Sequence, residues 1–300
     1  MAIKTVKATI NGQTYDLTLN SASGEWEATI TAPGKTSYNL AGGYYNVSVE
    51  ATNEAGTKGS ADASTVDGLK LVVKETVAPV ITIVSPTDGA YVANSKQPVV
   101  FNVTDETGGS GVDISTLVVK QDGTAVAAAN ITHTAISNGY SVTYTPSAAL
   151  SDGSHTVTIN CKDHDGNAAE EKSTTYTVDT VPPTLNVTSP ADGLITAASS
   201  VTVAGTTNDA TSSPVVITIS LNGTDQGTIP VGTGGTFSKV VTLKEGSNTI
   251  IVKAKDAAGK ESSVTRTVTL DTSVPKIKAA TITPNPVDTG KTMVISVTIE

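Results

Sequence analysis

One passage recurs along this chain and limits what it can fold into. "ETVAPVITIVSPTDG" runs from Glu75 to Gly89, "DTVPPTLNVTSPADG" from Asp179 to Gly193, and "LDTSVPKIKAATITPNP" begins at Leu270. Proline fixes φ and cannot donate to a strand ladder, so each passage closes one folding unit and opens the next. A second pattern alternates with the first. "GYYNVSVEATNEAGT" starts at Gly43, "GSHTVTINCKDHDGN" at Gly153 and "GSNTIIVKAKDAAGK" at Gly246. Each reads Gly, alternating apolar residues, Asp or Asn, two residues, then Gly, with a polar alternating segment after it. That predicts a β-hairpin whose Asp or Asn side chain bonds the turn backbone and whose Gly takes positive φ. Together the two patterns predict an all-β chain: tandem antiparallel β-sandwich modules of roughly a hundred residues in an elongated string. The expected boundaries are 1–74, 75–180, 181–272 and 273–300.

Composition agrees with strands. Hydrophobic residues make up 38% of the chain, aromatic residues 4% and charged residues 16%. No long run places apolar residues at helical spacing, and the nearest candidate, 125–130, is too short to stand alone. The formal net charge is −9 with no basic cluster, which argues against nucleic acid as a partner. No apolar run approaches the ~20 residues that span a bilayer, so no membrane insertion is expected. "MAIKTVKATINGQTYDL" alternates apolar and polar residues and does not read as an export signal. The single cysteine, Cys161, shares a period-2 face with Val157 and Ile159 and is expected in a core.

The first and last modules are irregular. Asn11-Gly12, Gly24 and Trp26 match Asn222-Gly223, Gly235 and Phe237 at a constant offset, whereas Asn53 matches Asp256 at an offset eight residues shorter. The first module therefore carries an eight-residue insertion around "APGKTSYNLAGGYYN" and lacks the two opening strands of the third. The stretch from Pro275 to Glu300 resembles only those two opening strands. Three explanations stay open: a segment of a longer chain; a naturally short sandwich with a loose or edge-docked tail; or strand pairing with another copy or another virion protein. Main-chain pairing along a sheet edge is a known recognition mode.

The hairpin followed by "VDTVPPT" resembles the bacterial immunoglobulin-like repeats found on surface adhesins and tailed-phage virions. The resemblance covers the second and third modules and part of the first. It implies Ig-like sandwiches without the cysteine pair or buried Trp of antibody domains, and it says little about activity. It also implies that the hinge acids Glu75, Asp179 and Asp271 are candidates for calcium between modules.

Candidate chemistry is sparse. "KDHDGN" offers Asp163, Asp165 and Asn167 as weak calcium ligands, without the closing Glu of a full loop, and turn chemistry accounts for them as well. The expectation is no cofactor and little change in the thermal midpoint on chelation. "DETGGSGVD", from Asp105, lacks the Lys and the helix of a phosphate loop and reads as a flexible connection. His133, His155 and His164 fall in different elements, and no Ser sits in a nucleophile elbow, so no enzyme is expected. Trp26 and Phe237 are expected in cores. Tyr38, Tyr44 and Tyr45, in or beside the insertion, are candidate surface-contact residues for a cell-surface glycan or protein, or else cover the open end of the short module. These readings favour a non-catalytic virion component, tail-associated or decorating, that projects Ig-like modules. The alternative is a segment of a secreted cell-surface adhesin. Either places the chain on a virion or outside the cell.

Overall fold

The computed structural model describes residues 2–300. The chain divides into two compact units, Met1–Asp179 and Thr180–Glu300. Among the described residues the only helical elements are three single 3-10 turns, at Asp67–Leu69, Ala128–Asn130 and Thr233–Gly235. None is long or apolar enough to cross a membrane.

The first unit opens with one sheet built from β1 (Ile3–Ile10), β2 (Gln13–Leu19), β3 (Trp26–Glu27), β4 (Tyr45–Asn53), β5 (Lys58–Ala61) and β6 (Lys70–Leu71). Its order is β3-β2-β1-β4-β5, with β6 also on β4. All six strands belong to that sheet, and on its central strand Val6, Ala8 and Ile10 are buried. Val6, Ala8 and Ile10 lie on the same face as Ala51, Val49 and Val47, their ladder partners on β4.

A complete sandwich follows. One of its sheets runs β11-β10-β14-β15-β8 and the other β12-β13-β9-β7. The strands are β7 (Val80–Ser85), β8 (Ala90–Val92), β9 (Val99–Thr104), β10 (Val112–Gln121), β11 (Thr124–Ala125), β12 (Ile131–Ile136), β13 (Gly139–Tyr144), β14 (Gly153–Asp163) and β15 (Lys172–Val178). Period-2 alternation on β9 and β14 buries Val99, Phe101, Val103, Val157, Ile159 and Cys161 completely. Each large side chain so buried contributes about 1.5–3 kcal/mol. Burial also pushes the Cys161 thiol above its usual pKa, which suits a small core residue rather than a reactive one.

The second unit contains another sandwich, with sheets β16-β18-β21 and β17-β23-β22-β19-β20. Its strands are β16 (Thr184–Ser189), β17 (Leu194–Thr196), β18 (Ser200–Asn208), β19 (Val216–Leu221), β20 (Thr224–Ile229), β21 (Thr236–Thr242), β22 (Gly246–Lys255) and β23 (Glu261–Leu270). Ile217, Ile219, Ile250, Val252 and Val268 form its core with Phe237. The same unit ends in a two-stranded hairpin, β24 (Ile277–Thr283) on β25 (Val294–Ile299). Every residue of that hairpin is exposed.

The repeated turns have one geometry. Asn53, Asp163 and Asp256 each accept, through the side-chain oxygen, the backbone N–H four residues on, at 2.9, 2.8 and 2.8 Å. The glycines three residues on, Gly56, Gly166 and Gly259, all have positive φ. Asn11-Gly12, Asp122-Gly123 and Asn222-Gly223 take positive φ at both positions, the requirement of a tight type I′ hairpin turn. Trp26 is only half-buried on its edge strand, whereas Phe237 is buried.

His155 ties the second module together. Its Nδ1 lies 2.8 Å from Asp122 Oδ2 and its Nε2 lies 2.8 Å from the Ser151 carbonyl. Both partners are acceptors, so the ring bonds both only when doubly protonated. Burial pulls the imidazole pKa down, but the bonds to Asp122 and Ser151 outweigh it and the net shift is upward. A raised histidine contributes stability below its unfolded value of ~6.5 and loses it as pH rises through the folded value. We therefore expect the thermal midpoint of the first unit to fall between about pH 6 and pH 8. The fall should be shallower in His155→Gln, as followed by circular dichroism; an unchanged slope would show that the clasp contributes nothing.

Candidate divalent-cation site beside the first sheet

Where the first sheet meets the second module, both within the first unit, polar groups interlock. Asp165, in the turn after β14, is the hub. Its Oδ2 accepts from Thr36 Oγ1 at 2.5 Å and from the Glu75 backbone N–H at 3.0 Å. Its carbonyl accepts from Lys74 Nζ at 3.3 Å, and its own N–H donates to Ser110 Oγ at 3.1 Å. Asn167 Nδ2 donates to the Glu75 carbonyl at 3.2 Å. Asn39 Nδ2 donates to the Gly109 carbonyl at 2.6 Å. The Tyr38 ring stacks on His164, with centroids 4.5 Å apart and planes 9° from parallel.

The structure does not gather Asp163, Asp165 and Asn167 into one ligand shell. Asp163 Oδ1 accepts the N–H groups of Gly166 and Asn167, and its Oδ2 accepts from Asn167 Nδ2. These oxygens hold the turn, while Asp165 faces the first sheet. Of the other hinge acids, Asp179 is buried and its N–H donates to Val92, and Asp271 Oδ1 accepts from Ser273.

A different set converges. Carboxylate oxygens of Glu75, Asp105 and Glu106 lie within 4.8 Å of one another. Asp105 is 7% exposed and Glu75 half-buried, whereas Glu106 is exposed. Ser110 N–H donates to Glu75 Oε1, and Gly111 N–H donates to Asp105 Oδ2 at 2.7 Å. The remaining oxygens, Glu75 Oε2 and Asp105 Oδ1, are buried and accept from no N–H or hydroxyl group; a protonated Glu106 carboxyl is the donor that would reach them. A buried carboxylate oxygen without a donor costs about 1–3 kcal/mol or more. Gly109 leaves the space open: a Cβ there would sit 2.7 Å from Glu106 Oε1 and 2.8 Å from Asp105 Oδ2.

Three crowded carboxylates repel one another. The hydrogen bond with Glu75 pushes Glu106 up to about 7, with burial and Asp105 adding to it. Burial pushes Glu75 up, but bonds from Glu106 and Ser110 outweigh it and leave Glu75 below its usual value. A proton shared between two carboxylates is one answer to such crowding, and a divalent cation is the other. An all-oxygen set with two unbonded buried oxygens fits a hard ion such as calcium. Glu75, Asp105 and Glu106 are the residues that would hold it.

Glu75 was legible as a hinge acid. Asp105 and Glu106 were not, because they lie in the loop expected to be a flexible connection. That loop is instead fixed, with Asp105 and Ser110 buried in it. The tyrosines also divide. Tyr45 is not a surface-contact residue: it is buried, and its hydroxyl donates to the Lys35 carbonyl at 3.1 Å. Tyr38 is half exposed but stacked on His164, and Tyr44 is half-buried with Lys70 Nζ 5.4 Å from its ring centre. The histidines have separate surroundings, His133 against Tyr140, His155 in its clasp and His164 under Tyr38.

Two face-to-face sheets in each of the second and third modules, with short parallel strands at the sandwich rims, define the class as tandem immunoglobulin-like sandwiches. The family profile of a bacterial Ig-like domain matches residues 78–180, and that of domain B of glucodextranase matches residues 183–272. The second module thus belongs with the bacterial immunoglobulin-like domains, and the third shares the sandwich fold. It is similar to domains A168–A170 of titin, at 14% identity over 88% of this chain and 85% of that one, TM-score 0.43. It is similar to fibronectin(III)-like modules of Clostridium thermocellum CbhA, at 16% identity over 63% of this chain and 93% of that one, TM-score 0.42. It is also similar to a 1.5-MDa bacterial ice-binding adhesin, at 23% identity over 89% of this chain and 86% of that chain, TM-score 0.30. Among curated proteins none matches.

Asp165→Ala removes the acceptor shared by Thr36 and the Glu75 amide. We expect faster hydrogen exchange at the Glu75 amide and a loss of about 1–3 kcal/mol confined to this junction. Protection on β14 and β15 should be unchanged; equal protection at Glu75 in variant and parent would show that this hub does not hold the junction.

Proposed function

We propose that this chain is a non-catalytic structural array that displays Ig-like modules on a biological surface, a phage virion or a bacterial cell. The observation that carries the reading is the polar interlock around Asp165 and Glu75. Buried polar residues, Thr36, Asp105 and Ser110 among them, lie where the first sheet meets the second module, which suits holding modules in place. The repeated sandwich and its match to bacterial Ig-like domains support a surface role. Tail-associated or decorating virion protein is the specific form we favour. A cell-surface adhesin is the second reading, favoured by the bacterial Ig-like domain family itself. Weak contact with a surface glycan or protein would then fall to exposed side chains such as Tyr38.

The test is location. Antibodies raised against the chain should label the outside of purified particles or of intact cells in electron microscopy. Labelling confined to the cytoplasm of sectioned cells would overturn the reading.

The cation site is part of this proposal, as a brace. At a hundred times its Kd, a bound ion adds ~2.7 kcal/mol. Calcium should therefore raise the midpoint of the first unit by several degrees, at about 2–8 °C per kcal/mol. Asp105→Asn and Glu75→Gln should remove that response. A midpoint indifferent to calcium and to chelator would show that a shared proton alone relieves the crowding.

A further inference from the structure

An outer strand leaves half its backbone groups unpaired, and soluble chains normally blunt such edges. The outer strands of the two sandwiches are blunted in visible ways, with one exception. β8 and β17 are three residues long and β11 two. β7 and β16 lose register near their ends, between Ile83 and Ser85 and between Val187 and Ser189. β20 carries Asp225 and a shifted register, and β21 carries Lys239. β12 has none of these devices. Its sequence ITHTAI contains no Asp, Glu, Lys, Arg or Pro, and it pairs with β13 without a register shift. All of it after Ile131 is exposed.

The register says which backbone groups are free. Ile136 and Gly139 close a two-residue turn, and Thr145 N–H donates to the Asn130 carbonyl. Thr132, Thr134 and Ile136 therefore bond β13. Ile131, His133 and Ala135 turn their N–H and C=O outward, where no other strand or loop among the described residues takes them. Side chains alternate likewise. Thr132 and Thr134 stand on one face, and His133 on the other sets its ring 85° from that of Tyr140, with centroids 5.2 Å apart.

We propose that β12 pairs antiparallel with β12 of a second copy, about a two-fold axis at His133, so that two four-stranded sheets become one of eight. This register uses all three outward residues: Ile131 meets Ala135 of the second copy, and His133 meets its own counterpart. A shift by two residues leaves one of them unpaired. The same register sets Thr132 opposite Thr134 of the second copy, and Thr134 opposite Thr132. Such partners have Cβ atoms ~4.5–5.5 Å apart, within the range of the Thr–Thr pairs that stabilise sheets. Charge favours this partner too. Each copy carries −9 overall, so most approaches of two copies are repulsive, whereas this edge brings no charge to the contact. The contact is isologous and stops at two copies. Six residues a side are far fewer than the ~20–30 of a standard interface, which makes the dimer weak. The pairing does not depend on the display reading; on a crowded surface it would link neighbouring copies sideways.

The 300-residue protein should sediment as a monomer when dilute and shift toward a dimer as concentration rises to ~500 µM, where a contact of Kd ~100 µM is more than half formed. Thr132→Lys with Thr134→Lys sets like charges opposite one another and should stay monomeric, and so should Thr132→Glu with Thr134→Glu. An equimolar mixture of the two should restore a dimer, because lysine then faces glutamate at both positions. Both sites are exposed, so each variant should keep its fold, as circular dichroism checks. Hydrogen exchange reads the register: as concentration rises, the amides of Ile131, His133 and Ala135 should gain protection, while those of Thr132 and Thr134 are protected throughout. Either charged variant dimerising as the parent does would place the contact elsewhere and overturn the proposal. So would a mixture that stays monomeric. A parent monomeric over the whole range would leave this edge to an unlike strand, and would also overturn it.

Discussion

An amphipathic sheet has an apolar face, and in water that face must be covered. Every larger feature of this chain follows from how that requirement is met. In the second and third modules one sheet covers the other, and alternating Val, Ile, Phe and Tyr interdigitate between them. The first sheet meets it only in part, with its central row shielded and the flanking rows half open. The β24–β25 hairpin packs against neither of these cores. A domain gains only a few kcal/mol net from folding, so an uncovered row of this size is a substantial fraction of a module's stability.

The fold was largely legible in the sequence because its determinants are local. Alternation, an Asx turn and a glycine three residues on act within a dozen residues, and proline acts on its own φ. Asn53, Asp163 and Asp256 therefore announce the same turn wherever they occur. The candidate site was legible only in part because its determinants are distant. Glu75 and Asp105 are thirty positions apart, and nothing between them marks their meeting. What brings them together is the path from the hinge into β7, paired with β9, whose next residue is Asp105. A glycine-rich loop also looks the same in sequence whether it is free or pinned. Here Gly109 is needed because two carboxylates occupy the place of a side chain. Tyr45 shows the converse: an aromatic beside an insertion is buried once its hydroxyl finds a carbonyl.

The junction joins opposite electrostatic tendencies. Around Asp165 donors from three residues converge, two on its Oδ2 and one on its carbonyl, and the group works as a bolt. Around Asp105 the acids outnumber the donors, and the cluster stores repulsion that a proton or a cation relieves. The two lie on the same few loops, so the bolt holds the crowded acids in place. Neutralising the crowd then reinforces the bolt.

The short strands β8 and β17 have a mechanical consequence. Each pairs parallel with the last long strand of its module, Ala90–Val92 with Tyr176–Val178 and Leu194–Thr196 with Val268–Leu270. The first of each pair lies near the start of its module and the second at its end. A pull on the two ends of a module therefore draws the paired strands past one another along their length. The ladder bonds are loaded side by side and must fail together, rather than opening one after another as in a peeled hairpin. Three residues of parallel pairing thus act as a latch on some ninety residues of sandwich, set across the line of load.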